Sequence, residues 1–141
     1  MPDLIDTFNV AASGLAAERL RLQTIATNMA NARTTRTPDG GPYQRRMPVF
    51  EAVAVDPFGD VMDRETHRVV VAGVETDNAP PQRVHDPSHP DADPEGFVSY
   101  PNVNVLQEMV DLMGTSRAYE ANASVVEATR DMALRALEIG R

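Results

Sequence analysis

The sequence has no cysteine, no tryptophan and no lysine in 141 residues, and only 5% of those residues are aromatic. Without cysteine there is no disulfide framework, no thiolate zinc site and no cysteine nucleophile, so redox chemistry does not fix the compartment. Without lysine, neither DGG at 39–41 nor GTS at 114–116 can serve as a phosphate loop. The scarcity of rings leaves little of the side-chain area that usually dominates a compact core. No segment approaches eighteen consecutive apolar residues, and the first thirty residues carry no basic stretch followed by an unbroken apolar run. Neither a membrane-spanning chain nor a precursor with a cleaved Sec-type signal is expected. An excess of positive charge is also missing, and the net charge of -8 argues against a nucleic-acid partner.

What is present is unevenly placed. Residues 1–50 carry a net charge of +2, residues 101–141 carry -2, and residues 51–100 hold eleven acids against three arginines. Nearly neutral ends suit surfaces covered by other protein, and an acidic middle suits one that stays wet.

Both ends read as long helices. At the N-terminus Met1, Ile5, Phe8, Ala12, Leu15, Leu22, Ala26 and Met29 recur at spacings of three and four, broken by Arg19, which predicts one helix over 3–31 of about 43 Å. Gly14 is its one poor helix former. At the C-terminus Val105, Met109, Leu112, Ser116, Tyr119, Ala123, Val126, Ala133 and Leu137 form one stripe, interrupted by Arg130. A second stripe of Ala118, Ala121, Val125, Ala128, Met132, Ala136 and Ile139 lies beside it. Asn104 is placed to cap this helix, with Gln107 three residues on as in a capping box. Helices of about 43 and 53 Å do not fit a compact chain of this length, whose radius of gyration would be about 14 Å. An elongated molecule that packs laterally in an assembly is expected, because a hairpin would leave the second C-terminal stripe bare.

Between the helices, 43–55 and 66–77 read as strands on their β-branched and aromatic content, with turn-prone DPFGD between them. Residues 96–100 are a weaker third strand, and 79–95 read as proline-rich loop. The segment NMANARTTRTPDGGPY, 28–43, ends the first helix. Asn28 and Asn31 share a face there, Asn31 is suited to a left-handed cap, and Thr37, Pro38, Asp39, Gly40, Gly41 and Pro42 make a turn and joint.

The most tempting chemistry is HDPSHPDADPEG, 85–96, where His85, His89, Asp86, Asp91 and Asp93 could be read as metal ligands. Pro87, Pro90 and Pro94 exclude a helical ligand spacing, and no glycine stands where a calcium loop needs it, so a solvated turn is the better reading. His67, in a strand-like run, is expected at the surface. No serine has the flanking glycines of a nucleophile elbow, so neither an enzyme nor a cofactor is expected. Two other classes are compatible with parts of the pattern: a metal-binding enzyme built on His85 to Asp93, which metal analysis would reveal, and a cytosolic coiled-coil adaptor or export chaperone, which would be a stable soluble helical dimer.

Three stretches together, ASGLAAERLRLQTIATNMANARTTRTPDGGPYQRR, HPDADPEGFVSYPNVNVLQEMVDLMGTSRAYEANASVVE and the closing helix, resemble the bacterial flagellar basal-body rod proteins of the FlgC type. The resemblance implies a structural subunit of the proximal rod, exported unfolded through the flagellar type III apparatus without a cleaved signal and assembled into a hollow shaft across the periplasm. It implies as partners further copies of the chain, other rod subunits, and membrane-ring, rod-base adaptor and outer ring proteins, without direct membrane insertion. The fold it implies is an elongated α+β chain, its terminal helices packed as an antiparallel coiled-coil hairpin around a small central β-rich region. The domain plan is an N-terminal axial helix over 1–32, a central region over 33–101 and a C-terminal axial helix over 102–141. Phe8, Leu15, Leu22, Asn28 and Asn31 at one end, and Met109, Leu112, Tyr119, Val126 and Leu137 at the other, are the residues expected at the assembly interface.

Overall fold

The computed structural model describes residues 4–54 and 67–139. Its elements are α1 (Leu4–Ala30), β1 (Arg46–Ala54), β2 (His67–Thr76), β3 (Gln82–His85), β4 (Phe97–Tyr100) and α2 (Val105–Ile139). The two helices, about 40 and 53 Å long, run antiparallel. Asn28 near the end of α1 meets Glu108 at the start of α2, Gly14 faces Asn122, and Ile5 and Phe8 meet Thr129 and Ala133. The β1–β2 ribbon covers another side of α1, where the Val69 amide donates to Ser13 Oγ at 3.1 Å. The first helix is thus the central layer, with α2 on one side and a sheet on the other. No helix among the described residues is long and apolar enough to cross a membrane.

The helix seam differs from the apolar stripe read in the sequence. On α2 it contains Glu108, Thr115, Asn122 and Thr129, seven residues apart, of which Glu108, Thr115 and Thr129 are buried. Leu112, Val126 and Ala133, all half-buried, interleave with them, so part of the expected stripe lies along the seam, while Tyr119 is exposed. Val105, Met109 and Leu137, from the other half, are exposed. Threonines can occupy the seam because each hydroxyl is satisfied within its own helix. Thr115 Oγ1 donates to the Asp111 carbonyl at 2.7 Å and Thr129 Oγ1 to the Val125 carbonyl at 2.8 Å, leaving mainly a methyl group to face α1.

The first helix shows the same displacement. Its buried residues are Ala11, Ala17, Thr24, Ile25 and Asn28, while Ile5 and Phe8 of the expected stripe are exposed and Leu15 and Leu22 half-buried. A helix covered from two sides favours small residues along its contact lines, since they let both neighbours approach. Gly14 is one such position: a Cβ there would stand 3.0 Å from Asn122 Nδ2, and the Asn122 side chain would have to give way. The second stripe, through Val125, Ala128 and Met132, stays exposed.

The strands form two separate antiparallel pairs, not one three-stranded knob. In the first, Arg46 pairs with Thr76 and Ala54 with His67, with a register shift between Val49 and Phe50. His67 is exposed at the start of β2, and the expected DPFGD turn lies outside the described residues. In the second pair, Gln82 meets Tyr100 and His85 meets Phe97. Strand β3 falls inside the stretch read as loop. It holds one β-branched residue, Val84, is exposed along its whole length, and exists through its pairing with β4. Tyr43, Val98, Pro101 and Val103 are buried where β4 runs into α2, so the best-packed part of the molecule lies at the joint of its two ends.

Candidate assembly site

The joint is built around Asn28. Its amide uses all four of its hydrogen-bonding positions: Nδ2 donates to the Arg46 carbonyl at 2.8 Å and to Glu108 Oε2 at 3.3 Å, and Oδ1 accepts from Tyr43 OH at 2.8 Å and from the Arg46 amide at 2.9 Å. The side chain pairs with the backbone of Arg46 as a neighbouring strand would, and so fixes where β1 begins. Glu108, fully buried, takes the Arg45 guanidinium at 2.6 Å. Asn102 Oδ1 accepts from the Arg45 amide at 3.1 Å, which adds the chain leading into α2. Burial raises the Tyr43 phenol above its ordinary pKa, partly opposed by the Arg46 charge, so it remains a hydrogen-bond donor across the physiological range.

The start of α2 is set by Asn104, whose Oδ1 accepts from the Leu106 and Gln107 amides at 3.1 and 3.3 Å. Gln107 does not close a capping box, because its amide group reaches forward to Asp111. At the end of α1, Asn31 is not left-handed, since no residue other than glycine has positive φ among the described residues. Its side chain closes back on the last turn instead: Nδ2 donates at 2.9 Å to the Thr27 carbonyl, which also accepts from the Asn31 backbone amide at 3.1 Å. The turn that follows closes through the Gly40 amide on the Thr37 carbonyl at 3.0 Å, with Gly40 and Gly41 at φ of 88° and 75°. A side chain at either position would be strained although there is space for it.

This turn segment meets the histidine- and aspartate-rich loop. Thr35 Oγ1 donates to Asp91 Oδ2 at 2.8 Å, and Arg36 lies 4.0 Å from the same carboxylate. The loop's other acids are occupied in the same way: Asp86 accepts from Ser88, and Asp93 accepts from the Phe97 and Glu95 amides and from Arg83. No group of three or more histidine or acidic side chains converges on a metal position among the described residues. These oxygens build the loop.

Hydrogen bonds from Ser88 hold Asp86 below the usual carboxylate range; the Phe97 amide, then Arg83, do the same for Asp93. Depressed carboxylates contribute order that is complete above their unfolded pKa and is lost as pH falls through the folded one. Amide chemical shifts of Ser88 and Phe97 should therefore stay constant from pH 7 to 5 and move only below about pH 4. A main transition above pH 5 would contradict the assignment of the loop's order to these two carboxylates.

Of the residues expected at an interface, Asn28 is buried within the subunit, and Leu112 and Val126 belong to the hairpin seam. Leu15 and Leu22 are half-buried, as is Asn31, whereas Phe8, Met109 and Leu137 are exposed. A further exposed apolar row of α2 lies elsewhere. Leu106, Val110 and Met113, one turn apart on the side opposite the seam, are 74%, 58% and 56% exposed. Three large aliphatic side chains in water over two turns of an otherwise well-defined helix mark a surface meant to be covered.

Comparisons with known proteins fit this geometry. Residues 8–36 match the family described as flagella basal body rod protein, and residues 95–139 match the flagellar basal body rod FlgEFG protein C-terminal family. These are α1 with its turn, and β4 with α2, the parts that the Asn28 cluster joins. Over 96% of its length the chain is 42% identical to the flagellar basal-body rod protein FlgC of Borreliella burgdorferi, covering 97% of that protein. It is 39% identical to FlgC of Salmonella typhimurium, with 98% of both chains covered, and 36% identical to FlgC of Bacillus subtilis, with 96% and 97% covered. The matches to these relatives cover nearly the whole chain: it belongs to the FlgC-type flagellar basal-body rod proteins and is a structural subunit of the flagellar rod.

Proposed function

We infer that the chain works in the proximal rod as a helical hairpin that packs side by side with copies of itself and with other rod subunits. The observation that carries this reading is the exposed Leu106, Val110 and Met113 face on the far side of α2. Full burial of such side chains is worth roughly 1.5–3 kcal/mol each, which gives lateral association a driving force without any catalytic site. On this reading residues 1–32 and 102–141 form the axial layer, and the acidic residues 51–100 face outward towards neighbouring rod and ring proteins. The turn at 37–42 leads each copy from the inner layer to the outer by the same path.

Export through the flagellar apparatus without a cleaved signal, and assembly across the periplasm, belong to the same reading. Support comes from the family to which the chain belongs. We assign it no catalytic role. The test is removal of the chain from motile cells: purified basal bodies should then lack a rod, and re-expression should restore it. Complete rods without the chain would overturn the reading.

A further inference from the structure

We propose that the groove enclosed by α1, α2 and the β1–β2 ribbon receives the far face of α2 from a second copy of this chain, with Arg117 of that copy meeting Glu18. The proposal rests on the rod reading and names the surface that one subunit offers the next.

The groove is open, about 600 Å³, and lined by Val10, Gly14, Ala17, Phe50, Val69 and Val125, with Glu18 among them. Glu18 is poorly served within its own subunit. Its Oε2 is buried with no hydrogen-bond partner, and its Oε1 lies 3.8 Å from Arg21 Nη1, beyond hydrogen-bonding distance. Arg21 is drawn elsewhere, its guanidinium standing over the Phe50 ring at 5.1 Å. A buried carboxylate oxygen with no donor is unfavourable, and a guanidinium entering the groove would meet the carboxylate at Oε1, bringing the opposite charge, and with a rotation of the carboxyl group would supply the donor that Oε2 lacks.

The same chain carries a matching ridge. Arg117 is exposed and in no ion pair among the described residues, and it continues the Leu106, Val110 and Met113 row by one turn. From Leu106 to Arg117 the ridge is about 17 Å long, and the groove, from Thr7 to Arg21 of α1, about 21 Å. A helix that packs its seam against its own α1 cannot turn its far face into its own groove, so the contact has to run between copies. Ridge and groove are different surfaces, so the contact is heterologous and can repeat from copy to copy along a helical path. An apolar helix without a cation would fill the groove and leave Glu18 Oε2 unanswered, which is why a second copy is the occupant the charges favour.

The native chain has no cysteine, so paired cysteines report the contact cleanly. Basal bodies from cells whose only copy carries Glu18→Cys and Arg117→Cys should, on oxidation, yield reducible dimers and larger species, while either single variant yields monomer. In parallel, Glu18→Arg and Arg117→Glu should each reduce basal-body yield at least about tenfold, and the two together should restore it, because the charges are exchanged within one contact. Arg117 is exposed, so its reversal leaves the subunit folded. The proposal is overturned if the double-cysteine chain is present in basal bodies but remains monomeric, or if Arg117→Glu assembles as well as the native chain. Absence of the native chain from basal bodies would remove the rod reading itself, and this proposal with it.

Discussion

Replacing Glu108 with alanine is expected to lower the stability of the subunit by about 4 kcal/mol. The carboxylate is fully buried, holds Arg45 at 2.6 Å and accepts from Asn28. Truncation strands a partly buried guanidinium and one donor of a fully buried amide, and that penalty exceeds any net worth of the pair itself. The loss is large against the 5–15 kcal/mol of an ordinary domain, and large here because few apolar side chains are fully buried. Among the described residues only Val98 and Pro101 are, with Ala11, Ala17, Ile25, Tyr43 and Val103 buried less completely.

Because Asn28, Arg45 and Glu108 tie the end of α1, the chain into β1 and the start of α2, the variant should also unfold less cooperatively. Glu108→Gln keeps the volume and an acceptor, and should cost about 1–2 kcal/mol. Urea unfolding followed by circular dichroism measures both. A cost below about 1 kcal/mol for the alanine variant would mean that the cluster does not hold the joint.

Leu106→Asp combined with Met113→Asp should do the reverse: leave the subunit intact and abolish assembly. Both side chains are more than half exposed, so their loss should change stability by no more than about 0.5 kcal/mol per site. In an assembly each substitution removes roughly 1.5–3 kcal/mol of burial and adds the cost of an unpaired carboxylate in a covered surface. Even 4 kcal/mol corresponds to a loss of nearly three orders of magnitude in association. Cells carrying the pair should be non-motile and make no complete rod, while the purified variant unfolds at the native urea concentration. Motility with this pair would show that the far face of α2 is not an interface.

The helices, their lengths and the break at residue 31 were legible in the sequence because long periodic runs and a proline- and glycine-rich stop are strong local signals. The seam was harder to read. Apolar periodicity pointed to Met109 and Leu137, while the actual seam uses Glu108, Thr115, Asn122 and Thr129. Polar residues give no hydrophobic signal, and whether they can be buried depends on partners supplied by tertiary structure: the helix's own carbonyls for the threonines, Arg45 and Asn28 for Glu108.

Asn28 was placed at a recognition surface on its spacing from Asn31, yet its role is to pair with Arg46 and Tyr43 inside the subunit. An acid in the first turn of a helix ordinarily reads as a complement to the helix dipole. Strand β3 went unread because an exposed four-residue strand is specified by its neighbour and not by its own composition. The side of α2 left for assembly could be located only once the seam was known.

The most direct test is a map of the assembled basal body at side-chain resolution. Leu106, Val110 and Met113 of each copy should be covered by a neighbouring subunit within the rod, with the Asn28 cluster intact in every copy. A map that placed this chain outside the rod, or in the rod with those three side chains facing water, would contradict the account.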